Sequence, residues 1–584
     1  MKKFFLLIAY LLLNSILYSE GWIRINQLGY DIDLPKVAVL ISTEKIRINK
    51  FLIIDANTEK IVFVSKKIEQ TQRWEKFNST YRLNFTEFKR KGNYYIKCGN
   101  IKSPSFRIDT GIYKGTPDFL LKYIRAQRCG YNPLLKDSCH THDGFIIYHP
   151  TRDSQHIDVV GGWHDASDYL RYVTTSATTV FHLLFAYHLN PTTFSDFVDK
   201  NGEEIPDGIP DILNEAIWGI NWLLKMNPSK DAMYHQVADD RDHMGYRLPS
   251  EDTISYGKGL ERPVYFVSGL PQGLMKYKNR SKGVSSIAAK FASSFSLASI
   301  ILGKYDYKFT RKLLNKAIEA YNFSKTKFGV CQTAPCKAPY FYEEENYVDD
   351  MELAAAVLAL NENFSNLLNE AIEFGRQEKI TPWIGKDTAK HYQWYPFVNL
   401  GHFFVAYQSD KEVQKEFISY LKQGLELIEK KSKKNPFRIG VPFIWCSNNL
   451  IANILIQFRL YYILTGDTKF FELEASHRDW LLGCNPWGTS MITGLPSWGD
   501  YPEDIHSAFN VIKKLKVDGA LVDGPVYSSI YKNLIGIHLT KPDEYEKFQT
   551  DYIVYHDDNG DYSTNEPTLD GTASLLLYFS FLCK

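Results

Sequence analysis

The chain has 584 residues, a formal net charge of +1, 44% hydrophobic residues and 15% aromatic residues. This length exceeds a single domain of about 100–200 residues and supplies enough apolar side chains for more than one core. A charge balance so close to neutral gives no electrostatic reason to bind nucleic acid or an anionic membrane. We therefore predict neither kind of partner, while the oligomeric state stays open.

The N-terminus has the outline of a secretory signal peptide. Lys2 and Lys3 precede an unbroken apolar run at residues 4–13, and small or polar residues follow around Ser19. The run is shorter than the ~20 residues that a membrane-spanning helix needs. We predict a signal peptide at residues 1–20 and a secreted or periplasmic protein without stable membrane insertion; an uncleaved anchor is the alternative.

Eight cysteines would follow the chain into an oxidising compartment. Their even number permits disulfide bonds, and Cys331 and Cys336 are near enough in sequence for a local pair. Buried free cysteines are also common in a chain of this length. The sequence therefore leaves the pairing open.

Residues 21–110 show the pattern of a small antiparallel β-sandwich. Turn residues separate several short runs of β-branched and aromatic residues. These runs lie at residues 37–41, 51–55, 61–65, 94–98 and 105–109.

From residue 111 the pattern becomes helical. Residues 116–118 read TPD, which suits an N-cap, a proline at the first helical position and an acidic first turn. Pro210 begins a second helix, and a third begins at Ser447 and ends at Gly466. Similar apolar stripes recur to the C-terminus, so residues 111–584 are predicted to form a large all-α domain with long loops.

Two loop segments carry the carboxylates best suited to chemistry. Residues 161–168 read GGWHDASD, and residues 555–566 read YHDDNGDYSTNE. Glycoside hydrolysis uses two carboxyl groups, one protonated and one ionised, on opposite sides of the scissile bond. Asp165 and Asp168 could instead cap a helix, and the acidic loop could be solvated or bind calcium.

Further motifs follow in order along the chain. They are residues 23–30 (IRINQLGY), 35–39 (PKVAV), 209–215 (IPDILNE), 445–449 (WCSNN) and 481–486 (LLGCNP). With the two carboxylate segments, they resemble a cellulase-like glycoside hydrolase of family 9 that carries an N-terminal immunoglobulin-like domain. Residues 161–168 match the family's GGW-x-DAGD segment, with Ser167 in place of the usual glycine. The resemblance implies a multidomain chain, with an immunoglobulin-like β-sandwich at residues 21–110 and an all-α (α/α)6 barrel at residues 111–584.

The resemblance also implies an inverting enzyme with roles for particular residues. Asp168 would be the base, Asp165 would help to hold the attacking water, and Glu566 would be the acid. An inverting site keeps its carboxyl groups ~6.5–9.5 Å apart. The candidate substrate contacts are His506, Tyr562 and Trp163.

Proton transfer at such a site requires carboxyl groups in different environments. We expect burial near Tyr555 and Tyr562 to raise the pKa of Glu566. Asp165 and Asp168 are expected to stay ionised in a polar loop.

The match weakens at residues 501–508, which read YPEDIHSA. Only His506 matches the family's Pro-His-His-Arg segment, the arginine is absent, and Thr572 replaces an asparagine that usually follows the acid. The extra pair Glu503 and Asp504 could suit a cationic amino sugar or form a solvated loop.

Metal binding is predicted at Cys129, Cys139, His140 and His164. Thiolate and imidazole suit tetrahedral zinc, and relatives with the immunoglobulin-like domain commonly hold a structural zinc with two cysteines and two histidines. A Cys129–Cys139 disulfide is the alternative. Calcium is a further possible cofactor because residues 343–345 and 349–350 are rich in carboxylates, but no ligands are assigned.

The predicted substrate is a polysaccharide or an oligosaccharide. The first hypothesis is hydrolysis of β-linked glucans or their oligosaccharides, in the manner of an endo-β-1,4-glucanase. The alternatives are an exo-acting β-glucosidase or exo-β-glucosaminidase of the same fold, and a non-catalytic carbohydrate-binding protein.

Overall fold

Ten strands form the N-terminal part of the computed structural model, which describes residues 20–388, 390, 393 and 398–583. The signal peptide predicted for residues 1–20 lies outside these residues, except for Glu20. The strands are β1 (Gly21–Arg24), β2 (Tyr30–Asp31), β3 (Val37–Ser42), β4 (Phe51–Asp55), β5 (Ile61–Ser65), β6 (Ile68–Thr71), β7 (Ser79–Asn84), β8 (Gly92–Cys98), β9 (Ile101–Lys102) and β10 (Phe106–Asp109).

These strands make two facing sheets. One has the order β1-β3-β7-β6, and the other has the order β2-β10-β8-β4-β5 with β9 beside β8. Alternate side chains point between the sheets, so Leu40, Ile53 and Ile96 are buried together in the sandwich core. The predicted β-sandwich is confirmed.

The remaining strands are short and lie in loops between helices. They are β11 (Gly130–Asn132), β12 (Asp137–Cys139), β13 (Phe145–Ile147), β14 (Arg171–Tyr172), β15 (Tyr234–Val237), β16 (Pro263–Phe266), β17 (Val526–Tyr527) and β18 (Ile553–Val554).

Six helices within the described ranges form a closed inner ring, in which each packs against the next and the last against the first. In ring order they are α2 (Val173–Leu189), α4 (Ser285–Ile301), α6 (Val348–Leu358), α8 (Gly401–Gln408), α10 (Ser447–Thr465) and α14 (Leu569–Ser580).

An outer helix packs on each inner one. The outer helices are α1 (Thr116–Ala126), α3 (Asp211–Met226), α5 (Tyr307–Ser324), α7 (Leu367–Gly375), α9 (Lys411–Ser432) and α11 (Phe471–Leu481). Two short helices, α12 (Ala508–Lys513) and α13 (Ser528–Tyr531), lie in the long loops after α11. This arrangement confirms the (α/α)6 barrel.

Burial explains which helices lie inside. The inner α10 is buried along nearly its whole length, whereas the outer α9 buries one stripe that includes Phe417, Leu421 and Leu425. A helix that is apolar on all sides is stable only when surrounded by protein. The helix at Ser285–Lys304 is long and apolar enough to cross a membrane, but 83% of its apolar window is buried here, as in a core helix.

The sandwich is fastened to the barrel by the motif at residues 23–30. The Asn26 side chain donates to Asp479 Oδ1 at 2.8 Å, and the Gln27 N–H donates to the carbonyl of Leu482 at 2.8 Å. Because Leu482 belongs to the predicted 481–486 motif, the two segments meet across the domain boundary.

The predicted helix ends agree closely with the structure. α10 begins at Ser447 and ends at Thr465. Gly466 is its C-cap and adopts φ of 68°. The N-cap of α1 is Gly115 rather than Thr116, one residue earlier than expected.

Candidate active site

The long loops at one end of the barrel enclose an open cleft of about 590 Å³. Its walls include residues 165–168, residues 337–342, Trp445 and Glu566. The Leu569 N–H donates to the carbonyl of Asp165 at 3.1 Å. This bond ties the first carboxylate segment to the start of α14.

Asp168 lines the cleft with 16% of its side chain exposed. Its Oδ1 accepts the N–H of Leu170 at 2.9 Å, and its Oδ2 lies 3.4 Å from His243 Nε2. Burial lowers the pKa of His243, but the hydrogen bond and charge of Asp168 outweigh it and raise that pKa to about 9. Near neutral pH the two side chains therefore form an ion pair.

Asp165 is more deeply placed, with an exposed fraction of 7%. Its Oδ2 accepts the hydroxyl proton of Tyr342 at 2.8 Å. Burial, followed by the charge of Asp168, raises the pKa of Asp165 well above its usual range. Asp165 therefore does not lie in the polar loop expected of it, because its environment is buried and anionic.

Glu566 lies on the same cleft and meets the first segment directly. Its Oε1 accepts the N–H of Ser167 at 3.1 Å and contacts the Ser167 hydroxyl. Burial raises the pKa of Glu566, although His506 and the Ser167 donors act in the opposite direction. The expected direction is confirmed, but Tyr555 lies outside the cleft lining, fully buried beside Asn565.

Two of the three predicted substrate contacts line the cleft. His506 Nδ1 lies 2.6 Å from the carbonyl oxygen of Asn559 and 2.5 Å from the Tyr246 hydroxyl. Tyr562 donates its hydroxyl proton to the carbonyl of Ile535 at 2.7 Å. Both rings are thereby held in place at the cleft.

Trp163 does not reach the cleft, so its prediction as a substrate contact is wrong. The side chain is 0% exposed, and its indole N–H donates to Glu215 at 2.8 Å. The ring packs so closely on α3 that a Cβ at Gly219 would lie 2.2 Å from it. Trp163 is a core residue beneath the loop that carries Asp165.

The acidic pair at residues 503–504 forms a braced loop outside the cleft lining. Asp557 accepts the N–H groups of Glu503 and Asp504 at 2.7 and 3.0 Å. The Asp504 carboxylate pairs with Lys541. Neither acid offers its charge to a sugar in the cleft.

Tyr340, Trp445 and Tyr562 form an aromatic wall of the cleft. The Tyr340 and Trp445 ring centroids lie 6.0 Å apart, and those of Trp445 and Tyr562 lie 5.3 Å apart. Amphipathic rings of this kind offer apolar faces with polar edges. Reasoning from sequence assigned no role to Tyr340 or Trp445, although Trp445 stands in a recognised motif.

Reasoning from sequence also missed His243 as the partner of Asp168. The only signal for it was the acid-rich run DDRD at residues 239–242, which immediately precedes it. In that run Asp240 accepts the backbone N–H groups of residues 336–338 at 2.6–3.1 Å. One buried carboxylate thus anchors the loop that carries Tyr340. Asp239 pairs with Arg241 at 2.6 Å and accepts the Tyr265 hydroxyl proton at 2.7 Å, so it is not open to a metal ion.

The predicted metal ligands form a cysteine–histidine cluster beside the cleft. The ligand atoms of Cys129, Cys139, His140 and His164 lie within 4.8 Å of one another. The Sγ atoms are 3.9 Å apart, and the two imidazole nitrogens are 3.4 Å apart. A tetrahedral zinc with bonds of ~2.0–2.3 Å separates its ligands by about 3.3–3.8 Å, so the set fits such an ion.

Asp252 supports this cluster from behind, because its Oδ2 lies 3.1 Å from Nε2 of His140. The Cys129–Cys139 disulfide is excluded here, since disulfide sulfurs lie ~2.05 Å apart. All eight cysteines, each within the described ranges, are free, so Cys331 and Cys336 do not form the local disulfide that their spacing permits.

Two acidic residues from the segments considered for calcium, residues 343–345 and 349–350, instead contact a lysine of the same chain. The buried Lys290 ammonium pairs with Glu344 and lies 2.7 Å from Asp350. One ammonium group therefore serves both carboxyl groups.

Comparisons with known proteins agree with this architecture. The model of glycosyl hydrolase family 9 matches residues 113–579, and that of the cellulase N-terminal Ig-like domain matches residues 19–103. A cellodextrinase of Butyrivibrio fibrisolvens is 25% identical over 510 residues, covering 81% of this chain and 84% of that protein. A xyloglucan-specific endo-beta-1,4-glucanase of Bacteroides ovatus is 23% identical over 611 residues, covering 97% and 94%.

Solved structures share the whole fold. A metagenome-derived family 9 endoglucanase superposes with a TM-score of 0.75 at 23% identity, covering 97% of this chain and 99% of that one. A Zn-binding triple mutant of the family 9 endoglucanase J30 gives 0.74 at 21% identity, covering 95% and 99%. With its cleft, its barrel and both family models in agreement, the chain belongs to glycosyl hydrolase family 9 and carries a cellulase-type N-terminal immunoglobulin-like domain.

Proposed function

We propose that this glycoside hydrolase cleaves β-1,4-linked glucans or their oligosaccharides with inversion, using Asp168 as base and Glu566 as acid. The observation that carries the proposal is that both carboxyl groups line one cleft in unlike settings. Asp168 lies 3.4 Å from His243, whose pKa is raised to about 9, so the base has a cation beside it. Burial favours the protonated form of Glu566.

In the proposed reaction, Glu566 gives its proton to the glycosidic oxygen as the bond from that oxygen to the anomeric carbon breaks. Asp168 takes a proton from water as the water oxygen bonds to the opposite face of the same carbon. Asp165, braced by Tyr342, helps to hold that water. The product then has the anomeric configuration opposite to that of the substrate.

The substrate class is supported by the named activities of the relatives, which include a cellodextrinase and endoglucanases. The aromatic wall supplies flat apolar faces suited to the faces of pyranose rings. Asp165, Asp168 and Glu566 together in the cleft favour catalysis over a non-catalytic binding protein.

The test is hydrolysis of cello-oligosaccharides, xyloglucan oligosaccharides and chitosan oligomers, with the anomer of the first product observed by NMR. We expect the α-anomer from β-linked glucose oligomers. Retained β-anomer would contradict the assignment of the base, and products from chitosan alone would contradict the glucan assignment. Random shortening of long chains would indicate endo action, whereas monomer release from the start would indicate exo action.

The cysteine–histidine cluster is proposed to hold a structural zinc ion. All four positions of a tetrahedron would be filled by protein ligands, so the ion would brace the chain and leave no open position for substrate. His164 immediately precedes Asp165, and the ion would therefore hold the base segment against the β11–β12 hairpin. Metal analysis of protein purified without chelators should find about one zinc per chain.

We also propose that the chain is exported, on the basis of Lys2, Lys3 and the apolar run at residues 4–13. Fractionation of the producing cells, with N-terminal sequencing of the mature protein, tests this.

A further inference from the structure

A third carboxylate, Asp523, lies directly behind the acid and has no part in the mechanism above. It is 0% exposed and lies at the inner edge of the cleft. Its N–H donates to the carbonyl of Glu566 at 2.8 Å, and its own carbonyl accepts the N–H of Asn448 at 2.9 Å. The Asp523 backbone therefore joins the segment of the acid to the start of α10.

The Asp523 side chain binds the residues just before α10. Oδ2 accepts the indole N–H of Trp445 at 2.8 Å, and Oδ1 lies 3.2 Å from Sγ of Cys446. These two donors only partly replace the water that a buried carboxylate loses. Burial and the nearby Glu566 both raise the pKa of Asp523.

Trp445 is the middle ring of the aromatic wall, with Tyr340 on one side and Tyr562 on the other. Its indole N–H bond to Asp523 fixes how the ring is turned toward the cleft. Asp523 therefore joins two functional parts. Its side chain holds the sugar-facing wall, and its backbone holds the segment of the acid.

We propose that Asp523 is a positioning residue that sets the orientation of Trp445 in the aromatic wall. The inference rests on the proposed function, because that wall would meet the sugar. Asp523 is wholly covered by protein, so it acts through Trp445 and not by touching substrate.

Two substitutions test the acceptor that Asp523 offers to the indole. Asp523→Asn keeps an oxygen acceptor at nearly the same size, so KM for a cello-oligosaccharide should change little. Asp523→Ala removes the acceptor, so KM should rise about tenfold.

A double-mutant cycle with Trp445→Phe shows whether the KM effect passes through the indole. Phenylalanine has no N–H, so Asp523→Ala should raise KM no further in that background. Asp118→Asn, at the half-buried start of α1 away from the cleft, is the matched control and should leave KM unchanged.

The outcomes distinguish this inference from the function beneath it. If the wild type is active, an equal rise of KM from Asp523→Ala in both Trp445 backgrounds overturns the role of Asp523 alone. A wild-type chain that hydrolyses none of the glycans overturns the proposed function and this inference with it. Trp445→Phe removes the donor of the same bond, so an unchanged KM in that variant also overturns the role, even if the alanine variant fails to fold.

Discussion

The cysteine–histidine cluster and the cleft share one segment of chain, residues 161–168. The polar side chains of the cluster face one another, whereas those of the cleft face open space. His164 faces Cys139 and His140, within a closed set of four side chains that could bind a metal ion. Asp168, four residues later, faces an open cleft, with His243 as its charged partner. One end of the segment is suited to hold shape, and the other end is suited to exchange protons.

The difference shows how a loop can be both rigid and reactive. A closed cluster beside the reactive residues restrains their backbone without occupying the space that substrate needs. Five substitutions, with their controls, test this division of labour.

Glu566→Gln should have the largest effect. It removes the proton donor but keeps the shape and a partner for Ser167, so kcat should fall by about 10²–10⁴-fold with little change in melting temperature. Steady-state kinetics on a cello-oligosaccharide measure this. The control Glu503→Gln changes an exposed glutamate outside the cleft and should be fully active; a fully active Glu566→Gln would refute the assignment of the acid.

Changes in the cysteine–histidine cluster should come next. Cys129→Ser removes a ligand, so the chain should lose its metal, melt at a lower temperature and lose activity. Asp252→Asn leaves all four ligands but weakens the support of His140, so metal affinity should fall about 10- to 100-fold. Chelator titration followed by metal analysis measures both. Cys98→Ala, in the sandwich core, should leave metal content unchanged, and equal metal loss in that variant would refute the site.

Trp163→Phe separates a core aromatic residue from a substrate contact. Loss of the indole N–H leaves the buried Glu215 carboxylate short of a donor, which costs about 1.5–3 kcal/mol of the free energy of unfolding. KM should not change, because the ring lies outside the cleft. Denaturant unfolding and steady-state kinetics measure the two quantities. A raised KM at normal stability would restore Trp163 as a substrate contact.

Ser167→Ala should have the smallest effect and the most specific one. The Ser167 hydroxyl and N–H both lower the pKa of Glu566, and alanine removes only the hydroxyl. The pKa of the acid then rises, Glu566 stays protonated to higher pH, and the alkaline limb of kcat/KM should move up by roughly half a unit. An unshifted or lowered alkaline limb would show that the Ser167 hydroxyl does not act on Glu566 in this way.

Much of the fold was accessible from the sequence because local patterns carried it. The strands at residues 51–55 and 61–65 were predicted to the residue, and α10 was bounded by Ser447 and Gly466. Alternation with a period of two, helical stripes and a glycine with positive φ are local signals. They depend little on what lies elsewhere in the chain.

The candidate site was only partly accessible from the sequence. The ordered motifs pointed to Asp165, Asp168 and Glu566 and to the four residues of the cysteine–histidine cluster. They could not tell that Trp163 turns inward while Trp445 turns toward the cleft, since both are tryptophans in motifs. The direction of a side chain in a loop depends on packing against distant elements, here α3 and the segment of Asp523.

The sequence alone therefore determined the fold class and the family and singled out the carboxylates, because each depends on residue type and order. Only the tertiary structure decided the environment of each carboxylate. Burial and neighbouring charge come from distant chain segments, as when Ser167 meets Glu566 and Asp168 meets His243. Two aspartates three positions apart, Asp165 and Asp168, thus have different neighbours, Tyr342 and His243, for a reason that no local pattern contains.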